Sequence, residues 1–130
     1  MTDEATQQRS LHNWVQGMYG LHALALVSVL AGAMFGAALA FALPSALALV
    51  MNLLRARQAR GTLLDSHFIW QRRTVLYTLL AMVLVTLAVV PWLIVGLGST
   101  LLLASYVAIA AWAAWRIGSG WLALRNDHAP

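Results

Sequence analysis

Two stretches of this chain carry no Asp, Glu, Lys or Arg: Ser10 to Leu54 and Thr74 to Trp115. A helix rises 1.5 Å per residue, so about 20 residues cross a hydrocarbon core about 30 Å thick. Thr74 to Trp115 as a single helix would reach roughly 63 Å, which is two crossings. The break belongs at VGLGST, Val95 to Thr100, where two glycines and a serine supply turn chemistry. Pro91, one turn earlier, is expected to kink or end the first of the pair. The predicted helices cover about 66–94 and 99–118, the first with Asp65 or Ser66 as N-cap.

The earlier stretch reads less simply. Leu21 to Leu54 as one helix would be roughly 51 Å long, beyond what tilting accommodates. Pro44 offers the break, because proline suits a first helical turn and Ser45 can help satisfy the free N–H groups there. A crossing over about 19–40 is therefore followed by a short apolar helix over about 44–58, long enough for a thinned crossing or a re-entrant segment. The fold class is an all-α integral membrane bundle with three to four transmembrane segments, four being favoured. The chain is one domain: a polar N-terminal tail over 1–18, a basic loop over 55–73 and a C-terminal tail over 119–130.

Composition agrees. Hydrophobic residues make up 62% of the 130 and charged ones only 9%, against about 25% charged in soluble domains. A water-soluble fold of this size would lack the polar groups to cover its surface. Cysteine is absent, which removes disulfides, thiolate metal sites and cysteine nucleophiles. The apolar run after Tyr19 is too long for the core of a cleaved signal, and some twenty mostly polar residues precede it.

Of the eight basic residues, all arginines, five lie between Arg55 and Arg73. Arginine-rich loops stay cytoplasmic, so the central loop and the C-terminus are expected inside a bacterial inner membrane. The N-terminus joins them if there are four crossings. Arg55, Arg57, Arg60, Arg72 and Arg73 are candidate headgroup ligands, because a guanidinium fork matches a phosphate. A net charge of +4 flanking membrane-length segments points to lipid headgroups and not to nucleic acid.

Small residues at four-residue spacing let helices approach closely in lipid. Ser28, Gly32, Gly36 and Ala40 make such a face, and Ala110, Ala114 and Gly118 a shorter one; intramolecular packing is expected of both. The six tryptophans fall near predicted interfaces and read as a belt. His22 and Asn52 are candidate intramembrane polar groups, with Asn13, Gln16 and Tyr19 within three turns of His22. His67, Trp70, Gln71 and Thr74 share one helix face, a candidate interaction face for a partner helix, a headgroup or a polar cavity.

No catalytic pattern is present. Ser66 and His67 are adjacent, so their side chains diverge on a helix. There is no HExxH, carboxylate pair or phosphate-binding glycine loop. Asp65 is the one acid between Glu4 and Asp127. The chain is expected not to be an enzyme, and no cofactor or metal is expected.

The segment MNLLRARQARGTLLDSHFIWQRRT resembles a group of small proteobacterial inner-membrane proteins, loosely similar to the Tic-twenty-like translocon proteins of plastids. Their signature is an asparagine, a basic cluster, Arg-Gly-Thr, then Ser-His-Phe-x-Trp-Gln-x-Arg-Thr. The matching positions are Asn52, Arg60, Gly61, Thr62, Ser66, His67, Phe68, Trp70, Gln71, Thr74, Arg116 and Trp121. Arg72-Arg73 and Val75-Leu76 depart from the pattern, which commonly has an apolar-then-basic pair and, after the threonine, aromatics. The resemblance covers about Tyr19 to Asp127. It implies a helical inner-membrane bundle with the motif on the cytoplasmic side, and no particular reaction or substrate. The expected function is a non-enzymatic membrane component that binds lipids, a membrane-protein partner or a second copy. The alternative is a channel, translocon or transporter component with His22, Asn52 and Gln71 along a polar path.

Overall fold

The computed structural model describes residues 2–33 and 43–130. Four α-helices account for most of them: α1 (Thr2–Ala33), α2 (Leu43–Arg55), α3 (Leu63–Val89) and α4 (Gly98–Arg125). A 3-10 turn, Val90–Leu93, follows α3. Two of these segments, Leu63–Leu93 and Gly98–Arg125, are long and apolar enough to cross a membrane.

The expected polar tail over 1–18 is instead the first half of α1. Asp3 and Glu4 sit in its first turn, where carboxylates favour the positive end of the helix dipole. Leu11, Val15, Met18, His22 and Ala25 are all buried. Their spacing of four, three, four and three makes an inward stripe, flanked by mainly polar residues up to Gln16 and by apolar ones beyond Leu21. α2 has Pro44 in its first turn, as the sequence predicts. It runs antiparallel to α1: the Trp14 indole donates to the Met51 carbonyl at 3.3 Å, and His22 Nδ1 meets Ser45 Oγ at 2.7 Å. Ser45 thus ties two helices together in place of the N–H role expected of it. The surroundings of Gly32, Gly36 and Ala40, and the end of the first predicted crossing, lie outside the described residues.

The basic loop is shorter than 55–73. α3 starts at Leu63, with extended Thr62 in the N-cap position and no side-chain cap, so neither Asp65 nor Ser66 caps it. Charge marks where a segment leaves lipid, whereas helix formation needs only backbone bonding and propensity, so the polar Leu63–Arg73 segment is helical. Between α2 and α3 the Thr62 hydroxyl and N–H both donate to the Ala59 carbonyl, at 2.7 and 3.1 Å. Gly61 has φ +77°, the left-handed conformation that glycine adopts without a Cβ clash. The Arg-Gly-Thr of the motif is a tight turn.

Pro91 ends α3 as expected, and the chain reverses through Gly96 into α4. α3 and α4 form an antiparallel hairpin, joined near its tip where Thr86 and Tyr106 hydroxyls meet at 2.7 Å. α4 runs past the predicted 118 and absorbs much of the expected C-terminal tail. It ends in a Schellman arrangement: His128 N–H donates to the Ala123 carbonyl and Asp127 N–H to that of Leu124, with Asp127 left-handed. α4 packs through Ala113, Ile117, Gly120 and Leu124. The predicted face is not the packed one: Ala114 is exposed, and no atom lies within 4 Å of a Cβ placed on Gly118.

The molecule therefore has two zones. All four helices meet around Tyr19, Asn52, Phe68 and Gly120, where the core lies. Beyond Thr74 and Arg116 the α3–α4 hairpin presents Leu76, Leu80, Val83, Leu84, Leu87, Leu103 and Val107, all more than half exposed, as are Leu24, Val27, Leu47 and Val50 on α1 and α2. Only 11% of each apolar window is buried. A contiguous apolar surface of that extent suits hydrocarbon and not water. On this arm Thr78 bonds to the Thr74 carbonyl and Thr86 to that of Met82, the satisfaction within a helix that lipid favours.

Candidate functional site

The motif residues build a polar core where the hairpin joins α1 and α2. Helical spacing brings His67, Gln71 and Thr74 to one side of α3, and all three are buried, with Trp70 half-buried. The predicted interaction face is turned inwards, against helices of the same chain.

Its outer edge is a ring of three residues. The Arg116 guanidinium stacks on Trp70, 3.6 Å from the ring centre, a cation–π arrangement that arginine's flat fork favours. Arg116 Nε donates to Thr74 Oγ1 at 2.9 Å, and Thr74 donates to the Trp70 carbonyl at 2.9 Å. The Trp70 indole returns a bond to the Arg116 carbonyl at 3.0 Å. The arginine that opens the polar end of α4 is thus fixed on α3. The spacing of Trp112 and Arg116, whose guanidinium also lies 5.4 Å from the Trp112 ring, is the one sequence signal that could have marked Arg116 as a stacking residue.

Deeper in, Tyr19 Oη lies 3.0 Å from His67 Nδ1, and His67 Nε2 lies 2.9 Å from the His128 carbonyl. A carbonyl can only accept, so Nε2 carries hydrogen, and in the neutral ring Nδ1 accepts from the tyrosine. The chain Tyr19–His67–His128 links α1, α3 and the C-terminal turn. Tyr19 also stacks on Trp121, with ring centres 6.5 Å apart and planes within 6°. Gly120 makes room for this: a Cβ there would stand 2.5 Å from Tyr19 Oη and 2.9 Å from the Trp70 indole nitrogen. Sequence reading missed the parts played by Tyr19, Gly120 and His128, since their partners lie far along the chain.

Asn52 and His22 are both buried, and they bond separately. Asn52 Nδ2 donates to the Phe68 carbonyl at 2.9 Å, and His22 pairs with Ser45. Among the described residues Asn52 Oδ1 and the Gln71 amide meet no hydrogen bond of normal geometry, although the Gln71 amide lies close to the Tyr19 hydroxyl. Buried amides left in that state are rare and call for water or another polar occupant. The tryptophans divide as well: Trp92, Trp112 and Trp115 are exposed, whereas Trp14, Trp70 and Trp121 are used inside the bundle.

The five headgroup candidates also part company. Arg55 lies over the Trp14 ring at 4.6 Å and donates to Gln58 at 3.0 Å. Arg57, Arg60, Arg72 and Arg73 make no hydrogen bond, ion pair or ring contact among the described residues. Arg60 and Arg72 come together with Asp65 around a groove of about 370 Å³ floored by Ala56, Phe68 and Ile69. Among the described residues no group of three His, Asp or Glu is placed to hold a metal ion.

Compared with family models, with curated proteins and with solved structures, the chain matches none.

Proposed function

We propose that this chain is a multi-pass protein of the bacterial inner membrane, without enzymatic activity, that binds lipid headgroups and a membrane-protein partner along a basic cytoplasmic rim. The observation that carries this is the contrast among its arginines. Arg55 and Arg116 are tied to tryptophans, while Arg57, Arg60, Arg72 and Arg73 have no partner among the described residues and stand beside the base of an apolar hairpin. Unpaired guanidinium groups at that level meet phosphate in a bilayer. The His67–Trp70–Gln71–Thr74 face braces this rim from within. The motif resemblance to small inner-membrane proteins accords with that division.

Positive-inside orientation puts the Arg55–Arg73 segment and Arg125 in the cytoplasm, with three or four crossings according to whether the α2 region spans. The chain has no cysteine, so single replacements at Gln8, Gln58, Ile94 and Asn126 report the side directly. With four crossings, an impermeant thiol reagent on intact cells labels Ile94→Cys alone; with three, it labels Gln8→Cys as well. Labelling of Gln58→Cys from outside would sink the orientation.

Function is tested by replacing Arg57, Arg60, Arg72 and Arg73 with glutamine together. Loss of co-purifying phospholipid and of crosslinked partners, with no change in solute leak across reconstituted vesicles, supports the reading. A second reading, a channel or translocon component, draws on the buried amides of Asn52 and Gln71. Altered flux in Gln71→Leu, with lipid and partners retained, would favour it.

A further inference from the structure

We infer that the groove between the Ala56–Arg60 turn and α3 holds one membrane lipid whose headgroup carries both a phosphodiester and a primary ammonium, as in phosphatidylethanolamine. This rests on the proposed lipid-binding role and specifies its chemistry.

Three observations converge. Among the described residues Arg60 and Arg72 line the groove without a hydrogen-bond, ion-pair or ring partner, so two guanidinium forks can meet the oxygens of one phosphate. Asp65 lines the same groove, its carboxylate also without a bonded partner among the described residues. A carboxylate beside a phosphate repels it, and an acid in a purely anionic site would weaken binding. The same acid is complementary to an ammonium carried next to the phosphate. The groove thus presents the two signs that a zwitterionic headgroup presents in reverse, and a three-donor ammonium can hydrogen-bond a carboxylate where a quaternary one cannot.

The third observation is what lies above the groove. Asp65, Ile69 and Arg72 continue at helical spacing into Leu76, Leu80, Val83 and Leu87, so all seven occupy one face of α3. The four apolar residues are 51–68% exposed. From Leu76 to Leu87 this stripe is about 16 Å long, close to the roughly 15 Å depth of one leaflet's hydrocarbon. A headgroup seated between Arg60 and Arg72 therefore has an acyl track directly in line, which a soluble phosphate compound could not use.

The test uses the full chain in detergent with spin-labelled phosphatidylethanolamine, phosphatidylcholine and phosphatidylglycerol, and measures the immobilised fraction of each. Phosphatidylethanolamine is expected to bind about tenfold better than phosphatidylcholine, the scale of one charge-assisted hydrogen bond. Asp65→Asn should abolish that discrimination and leave phosphatidylglycerol binding intact or stronger, while Asp65→Glu retains the discrimination and controls for folding. Arg60→Gln with Arg72→Gln should weaken all three lipids. Equal binding of ethanolamine and choline lipids, or discrimination that survives Asp65→Asn, overturns the inference and leaves the general headgroup role standing. Binding indifferent to both arginines overturns the inference and also removes this groove from the proposed role. Preference for phosphatidylglycerol over phosphatidylethanolamine in the unaltered chain overturns the ammonium assignment.

Discussion

The lower bundle and the upper hairpin share α3 and α4 yet obey different rules. Below Thr74 and Arg116, Phe68, Ile117 and Leu124 are buried while arginines and Asp65 line the rim. Above that level, leucines and valines face outwards, and Thr78 and Thr86 bond along their own helix, Thr86 also to Tyr106 on the neighbouring one. The lower zone has an apolar and polar core with arginines at its rim, while α2 keeps Leu47, Val50, Leu53 and Leu54 exposed. The upper zone is organised as in hydrocarbon, where no apolar group gains by being hidden. α3 and α4 each pass through both zones without interruption, so the difference is written in side chains and not in the backbone.

Two substitutions should separate the zones most widely. Phe68→Ala empties a buried site in the lower core, where such truncation costs about 3 kcal/mol or more. Leu84→Ala removes a side chain that meets lipid before and after the helices come apart, and should change stability by under about 0.5 kcal/mol. Denaturation of both variants in mixed micelles checks this. Equal losses would mean that the hairpin is packed against something it does not touch here.

A charge probes the same boundary from the other side. Leu80→Arg places a guanidinium on the lipid-facing arm, at about 2.5–3.5 kcal/mol for insertion near a helix centre. Leu63→Arg, on the exposed start of α3, should cost almost nothing. Glycosylation-tag insertion assays on the isolated α3–α4 hairpin read the difference; if Leu80→Arg inserts as well as Leu63→Arg, the arm is not in hydrocarbon.

Glycines sharpen the comparison within α4. Gly120→Ala thrusts a Cβ against the Tyr19 hydroxyl and the Trp70 indole. Overpacking costs typically 1–3 kcal/mol, which outweighs the roughly 1 kcal/mol that alanine contributes to a helix. Gly118→Ala meets open space and should stabilise by up to that 1 kcal/mol. A thermal scan in detergent should give opposite signs for two positions two residues apart.

How much of this is legible in the sequence follows the same boundary. The existence and turn of the hairpin are readable, because an apolar segment of that length has one rule and Pro91 and the Val95–Thr100 turn punctuate it locally, whereas its lower ends and packed face are not. The rim is readable in part: the arginines are visible, but which two share a groove with Asp65 depends on how the Gly61 turn folds back on α3. The lower core is mostly hidden. Leu11, Val15 and Met18 stand among polar neighbours and pass for a tail. Tyr19 and His67 lie 48 residues apart and His67 and His128 61 apart, distances over which no periodicity carries information. The helical spacing of His67, Gln71 and Thr74 shows that they share a face, yet a face that must satisfy polar groups looks alike whether its partner is another chain or its own.

That last ambiguity gives the smallest effect and a direct measure of whether the polar core is a brace. Tyr19→Phe removes one hydroxyl that donates to His67 and keeps the ring stacked on Trp121. A hydrogen bond of this kind contributes about 0.5–1.5 kcal/mol net. His67→Phe removes the acceptor and also the bond to the His128 carbonyl, so it should cost more than the tyrosine change alone. In a double-mutant cycle the two should cost less together than separately, with a coupling of about 1 kcal/mol. Zero coupling would make Tyr19 and His67 neighbours that pack without bonding. A coupling near 1 kcal/mol with phospholipid binding unaltered would mark the histidine as internal scaffolding, and the working chemistry would then lie with the arginines outside it.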